Sequence, residues 1–179
     1  MTTETKFTLG IVLGTALLLV GGVWSLGNRG AKELTKLSQP LIGETTADQG
    51  EAHVPDDTAV DYNTNPPTTG PHYANSQSAG IYDKPVPDGN LVHSMEHGAV
   101  ILWYKEGPDD LSIEEVEQLE KIFRSVPVSK KIMVPRESLD VPIALTSWGK
   151  LLKLQEIDEV QIKVFMETNE DRGLEKAPL

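Results

Sequence analysis

Residues 91–104 read LVHSMEHGAVILWY. The second half, AVILWY over 99–104, is an unbroken apolar run. That is the pattern of a strand buried on both faces, since a half-exposed strand would alternate. In the first half His93, Met95 and His97 stand two apart. If the strand runs through the whole stretch, these three side chains share one face, and Ser94 and Glu96 share the other. The expectation is a strand with ligand-type side chains at its mouth and a core-forming continuation. Gly98, between the halves, reads as a bulge or a place of close backbone approach.

Just upstream, residues 79–90 (AGIYDKPVPDGN) form a turn-rich connection in which Asp88-Gly89 is a turn signal. Before that, residues 62–73 read YNTNPPTTGPHY. Pro66, Pro67 and the Gly70-Pro71 step restrict the backbone, so this segment loses little entropy on ordering and can present His72 in a fixed position. Downstream, residues 112–126 form a helix. Ser112 and Glu115 make a capping box, Leu111 and Val116 a hydrophobic staple, and Ile113, Val116, Leu119, Ile122, Phe123 and Val126 an apolar stripe. Residues 131–134, 141–148 and 150–156 are strand candidates, the last two joined at Trp148-Gly149. Asp158 with Gln161 opens a second helix, with Ile162, Phe165 and Met166 inward, and the chain after about residue 173 reads as a loose tail. Strand, helix, three strands, helix implies an α+β domain: a mostly antiparallel sheet with two helices on one face.

The N-terminal part has a different character. After a short tail (1–6), residues 7–26 (FTLGIVLGTALLLVGGVWSL) carry no charge over about 20 residues, the length of a bilayer-spanning helix. The segment 7–27 is therefore expected to be one transmembrane anchor, with the membrane as partner. A cleaved signal peptide, with Ser25-Leu26-Gly27 as its small-residue site, has an apolar region of only about 7–15 residues. Lys6 precedes the segment, and Arg29, Lys32 and Lys36 follow it, so the charge count alone points the C-terminal part inward. Residues 28–60, with Pro40 and a Gly-, Thr- and acid-rich stretch at 43–57, read as a flexible linker. His53 falls in it and reads as an exposed loop histidine. The compact domain is expected over 61–175, with 176–179 as tail.

The chain of 179 residues has 27 acidic against 16 basic residues, a formal net charge of −11. That balance excludes a phosphate-binding basic face, and so a nucleic-acid partner. Without any cysteine, disulfides, thiolate metal sites and cysteine nucleophiles are excluded as well. Four histidines remain, and three of them fall in the two blocks already quoted. Neutral imidazole is the commonest metal ligand. Hence His72, His93 and His97 are the candidate ligands, with Met95 as an additional soft one and Glu96 and Tyr73 as residues that orient the imidazoles. A thioether beside imidazoles favours a copper ion; three imidazoles alone suit a zinc ion equally.

The blocks TNPPTTGPHY (64–73), LVHSMEHGAVILWY (91–104), VPRESLDVPIALTSWG (134–149) and the closing Phe165, Asn169 and Gly173 resemble a bacterial family described as domain of unknown function 3105. The resemblance covers residues 60–175. It implies a membrane-anchored, extracytoplasmic domain and brings no activity with it. Arg136 and Asp140, from the third block, are expected to pair near the site. Two further readings stand beside metal binding. One is a membrane-tethered interaction module with structural histidines, displaying Tyr62, Tyr73, Tyr82, Trp103, Tyr104 and Trp148. The other is a small zinc-dependent hydrolase using His93-x-x-Glu96-His97, with Glu167 or Glu170 as third ligand. That motif requires a helix, and the β-type run directly after Gly98 argues for a strand.

Overall fold

The computed structural model describes residues 42–179. The N-terminal tail, the expected transmembrane segment and the first part of the linker lie outside the described residues. Among the described residues no helix is long and apolar enough to cross a membrane. The elements are β1 (Glu44–Thr45), β2 (His53–Val54), β3 (His72–Tyr73), β4 (Gly80–Ile81), α1 (Asp88–Glu96), β5 (Val100–Tyr104), α2 (Ile113–Ser125), β6 (Lys131–Pro135), β7 (Ile143–Ser147), β8 (Lys150–Leu154) and α3 (Glu159–Asn169). They form an α+β domain. A six-stranded sheet runs in the order β1-β8-β7-β5-β6-β4, and β2 pairs with β3 in a separate two-stranded ladder. In the large sheet β1/β8, β8/β7 and β7/β5 are antiparallel, while β5/β6 and β6/β4 are parallel.

The central strand β5 is buried throughout, as its apolar run implies, and its alternate residues divide the core in two. Val100, Leu102 and Tyr104 pack with Leu119, Ile122 and Phe123 of α2 and Ile162, Phe165 and Met166 of α3. Ile101 and Trp103 point the other way, to Leu91, Val92 and Met95 of α1. The two expected helices therefore share a face, both begun as the sequence indicates. Ser112 and Glu115 close a capping box, and the Asp158 side chain accepts from the Gln161 amide at 2.9 Å. The third helix, α1, covers the opposite face.

Helix α1 corrects the expectation of a continuous strand through residues 91–104. Only residues 100–104 are strand; His93, Met95 and Glu96 are helical and His97 is the C-cap. Gly98 is the helix stop. Its φ is +91°, its amide donates to Met95 O and the Ala99 amide donates to Ser94 O, both at 2.9 Å. This is the paired closure of a glycine-terminated helix. A nine-residue helix has little stability of its own. Complete burial of Leu91, Val92 and Met95 supplies about 1.5–3 kcal/mol each, which is why tertiary packing overrides the local pattern.

The linker and the tail also differ from expectation where they are described. β1 lies antiparallel to β8, and β2 lies parallel to β3, so residues 44–54 belong to the folded unit. Asn169 ties this region to α3, its side-chain amide donating to Ile42 O at 3.2 Å. The tail is fixed as well: Asp171 N donates to Gly98 O and Glu175 N to Glu96 O, each at 2.9 Å. Gly173 is wedged in so tightly that a Cβ would stand 2.1 Å from Glu96 O.

Gly98 and Gly50 separate two costs. Both have positive φ, but a Cβ on Gly98 would lie 2.8 Å from the Asp171 Cα, whereas one on Gly50 would meet nothing. Gly50→Ala is expected to lower stability by about 1–2 kcal/mol, the left-handed strain alone. Gly98→Ala should cost a further ~1–3 kcal/mol for overpacking against backbone. Urea denaturation of the two variants checks this; equal losses would show that the tail contact does not limit position 98.

Candidate metal centre

Two elements build the site. On α1 successive residues turn by about 100°, so His93 and His97, four apart, and Glu96, three after His93, share one side. Met95, two after His93, faces the sheet and is buried among apolar side chains. The second element is the β2–β3 ladder, in which His53 stands directly beside His72. The proline-rich loop holds β3 in place through Tyr62, whose hydroxyl donates to Pro71 O at 2.8 Å. The Trp148 ring meets His72 edge-on at 6.2 Å. Arg136 ties the same loop to α1, pairing with Asp88 in the first helical turn and donating to Asn65 Oδ1 at 2.8 Å.

Backbone carbonyls fix the protonation pattern of three rings. His72 Nδ1 lies 2.9 Å from Gly70 O, His93 Nδ1 2.7 Å from Tyr73 O, and His97 Nδ1 3.2 Å from Pro178 O. A carbonyl only accepts, so each Nδ1 carries the hydrogen and each neutral ring presents a bare Nε2 lone pair. Those lone pairs face other acceptors. His72 Nε2 is 3.1 Å from Glu96 Oε2, and His93 Nε2 is 3.0 Å from His97 Nε2. His72 and Glu96 are almost wholly buried. Acceptor against acceptor is repulsive unless a proton or a metal cation lies between them. Burial holds the His93 pKa below its ordinary value, and the neighbouring His97, His72 and His53 add to the effect against a raising hydrogen bond to Tyr73. The environment of His93 thus disfavours the proton, and the arrangement is one that could hold a metal cation. Donating the second ring nitrogen to a carbonyl is also how metal-ligating histidines are oriented.

One ligand atom from each of His53, His72, His93 and Glu96 lies within 4.8 Å of the other three. Glu96 Oε2 is 4.0 Å from His53 Nε2, and the His53 ring stands 4.6 Å from that of His72 and 5.0 Å from that of His93. Ligands on one zinc at 2.0–2.1 Å are roughly 3–3.5 Å apart, so small rotations close the set. The cluster opens into a pocket of about 420 Å³ lined by Glu51, His53, Glu96, Leu174 and Glu175. Its carboxylates draw cations toward the mouth.

The structure brings the His72 and His93 rings to 5.0 Å from each other and places Glu96 Oε2 3.1 Å from His72 Nε2. Tyr73 does orient a ring, through its carbonyl; its hydroxyl donates to Thr58 O at 3.2 Å. His53 is the residue that sequence reasoning missed. It reads as a loop histidine because only the long-range β2–β3 pairing brings it in. His97 stands outside the four-residue set and contacts it through His93. Met95 is not on the histidine face, because an i, i+2 pair shares a face on a strand and not on a helix. The His-x-x-Glu-His motif is helical, contrary to the strand reading, but neither nominated third ligand is present: Glu167 is exposed, and Glu170 accepts from Lys130 N at 2.8 Å. Arg136 and Asp140 do not pair with each other, since Asp140 pairs with Lys153 at 2.6 Å.

The lowered His93 pKa gives the metal-free protein a signed pH dependence. Between the ordinary value near 6.5 and the lower folded value the unfolded chain binds the extra proton, so stability falls as pH falls through that window. Above about pH 6.5 this contribution is complete and flat. The chelator-treated protein should melt at lower temperature at pH 5 than at pH 7, with a shallower dependence in His93→Asn. An equal slope in that variant would remove His93 as the cause.

No curated protein matches the chain, and no solved structure matches it. A family model described as "Protein of unknown function (DUF3105)" matches residues 53–178, a span that begins at the first histidine of the cluster and takes in all four, Glu96 and Glu175. The chain belongs to the DUF3105 family.

Proposed function

We propose that this domain binds a divalent transition-metal ion, zinc foremost, through His53, His72, His93 and Glu96. The observation that carries this reading is the set of acceptors aimed at one another. Carbonyls hold the Nδ1 hydrogens of His72 and His93, and the freed Nε2 atoms face a buried carboxylate and a third imidazole. The copper preference drawn from the sequence rested on Met95. With that thioether in the core, the donors are imidazoles and a carboxylate, and the soft ligand that would favour copper(I) is missing. Three imidazoles and one carboxylate complete a tetrahedral zinc.

Zinc at a hundred times its Kd should stabilise the full-length protein by about 2.7 kcal/mol, read as a rise in Tm after chelator stripping and reconstitution. The His72→Asn/His93→Asn variant should show no rise. Absence of any zinc- or copper-dependent shift in the wild type would sink this reading and leave the interaction module with structural histidines.

The same proposal has the domain anchored by residues 7–27 and facing outside the cytoplasm. Its support is the uncharged segment of about 20 residues and the sequence resemblance. The chain has no cysteine, so a single Glu117→Cys at an exposed position of α2 reports orientation cleanly. A membrane-impermeant maleimide should label intact cells; labelling only after lysis would reverse the orientation.

A further inference from the structure

We propose that the centre holds two metal ions, with Glu96 bridging them and His97 and Glu175 holding the second. This rests on the reading of His53, His72, His93 and Glu96 as the first site. Glu96, His97 and Glu175 form a second group whose ligand atoms lie within 4.8 Å of one another, and Glu96 is common to both groups. A carboxylate has two oxygens and can span two ions about 3.5–4 Å apart, the spacing of two-metal centres.

A second observation points to a ligand there. The hydrogen on His97 Nδ1 goes to Pro178 O at 3.2 Å. Its Nε2 then faces only acceptors, His93 Nε2 at 3.0 Å and Glu175 Oε2 at 3.3 Å. One ion shared by His53, His72, His93 and Glu96 leaves the His97–Glu175 contact of 3.3 Å to be bridged by a proton or by a second cation, and an ion between that pair and Glu96 supplies what both acceptors need.

The backbone is arranged to deliver Glu175. Its amide donates to Glu96 O at 2.9 Å. Lys130 Nζ clamps the same segment, donating to Ala177 O and to His97 O at 2.8 Å each and pairing with Asp171 Oδ1 at 2.8 Å. The tail thus adds one carboxylate, Glu175, and one carbonyl, Pro178, to the exposed side of the helix terminus. Glu175 is half-exposed, so the second ion keeps positions open to water, as ions in reactive sites do.

The experiment is metal counting by native mass spectrometry on full-length protein in detergent, stripped with chelator and titrated with zinc alone. The expected result is two zinc ions per chain in the wild type and one in Glu175→Gln, a conservative change at a half-exposed position. One zinc ion in the wild type overturns the second site and leaves the first standing. No zinc overturns both, and two in each protein overturns the assignment of Glu175. Titration with Mn²⁺ followed by electron paramagnetic resonance tests the bridge separately. The spectrum at one equivalent should change to that of a spin-coupled pair at two. Two independent, uncoupled signals would overturn the role of Glu96.

Discussion

A buried carboxylate faces an imidazole lone pair in this domain, and much of the architecture maintains that contact. Glu96 and His72 are both buried, where an uncompensated charge costs several kcal/mol. The Gly70 carbonyl removes the simplest remedy, because it claims the Nδ1 hydrogen of His72. A proton or a metal cation between the two side chains relieves the contact. The same logic repeats at His93 and His97, each held by a carbonyl from a different segment. Two separate stretches of backbone, residues 70–73 and the tail at Pro178, thus converge on one electrostatic requirement.

The sheet supplies the rigidity behind this arrangement. Apolar residues of α1 pack onto one face of β5, which fixes the helix axis and therefore the direction in which His93, Glu96 and His97 project. The other half of the site hangs on the proline-rich loop, tied to α1 through Arg136, Asn65 and Asp88. Trp148, at the β7–β8 turn, borders His72. Residues from the three sequence blocks thus have one joint effect: they hold the ladder of β2 and β3 against the polar side of a short helix. Asn169 and Gly173, at the end of the chain, extend the same scheme, the first anchoring residue 42 and the second letting the tail lie flush on the helix terminus.

Much of the framework was legible. The apolar run of β5, the capping residues of α2 and α3 and the three strands after α2 all follow from local patterns, because each is specified by neighbours in sequence. The misreading of residues 88–97 has a definite cause. Histidines at 93 and 97 satisfy a strand's period of two and a helix's spacing of four equally well. On a strand Gly98 reads as a bulge or a place of close backbone approach; the close approach is present, with the Asp171 backbone against it, but a glycine after a short apolar segment is also a helix stop. The deciding fact is the burial of Leu91, Val92 and Met95 on one side, and that surface exists only once β5 and its neighbours have formed.

By itself, then, the sequence determined which chemistry was available: four imidazoles, no thiol, an excess of carboxylates and a segment rigid enough to present His72. It also determined the class of fold, since strand and helix periods are local. Which donors meet was decided by tertiary structure alone. His53 reaches the site through a two-residue parallel ladder, and Glu175 through a tail laid across a helix end. Met95 leaves it because helical phase turns the thioether into the core. Each of these depends on pairing between residues far apart in the chain, and such pairings leave no periodic trace in sequence.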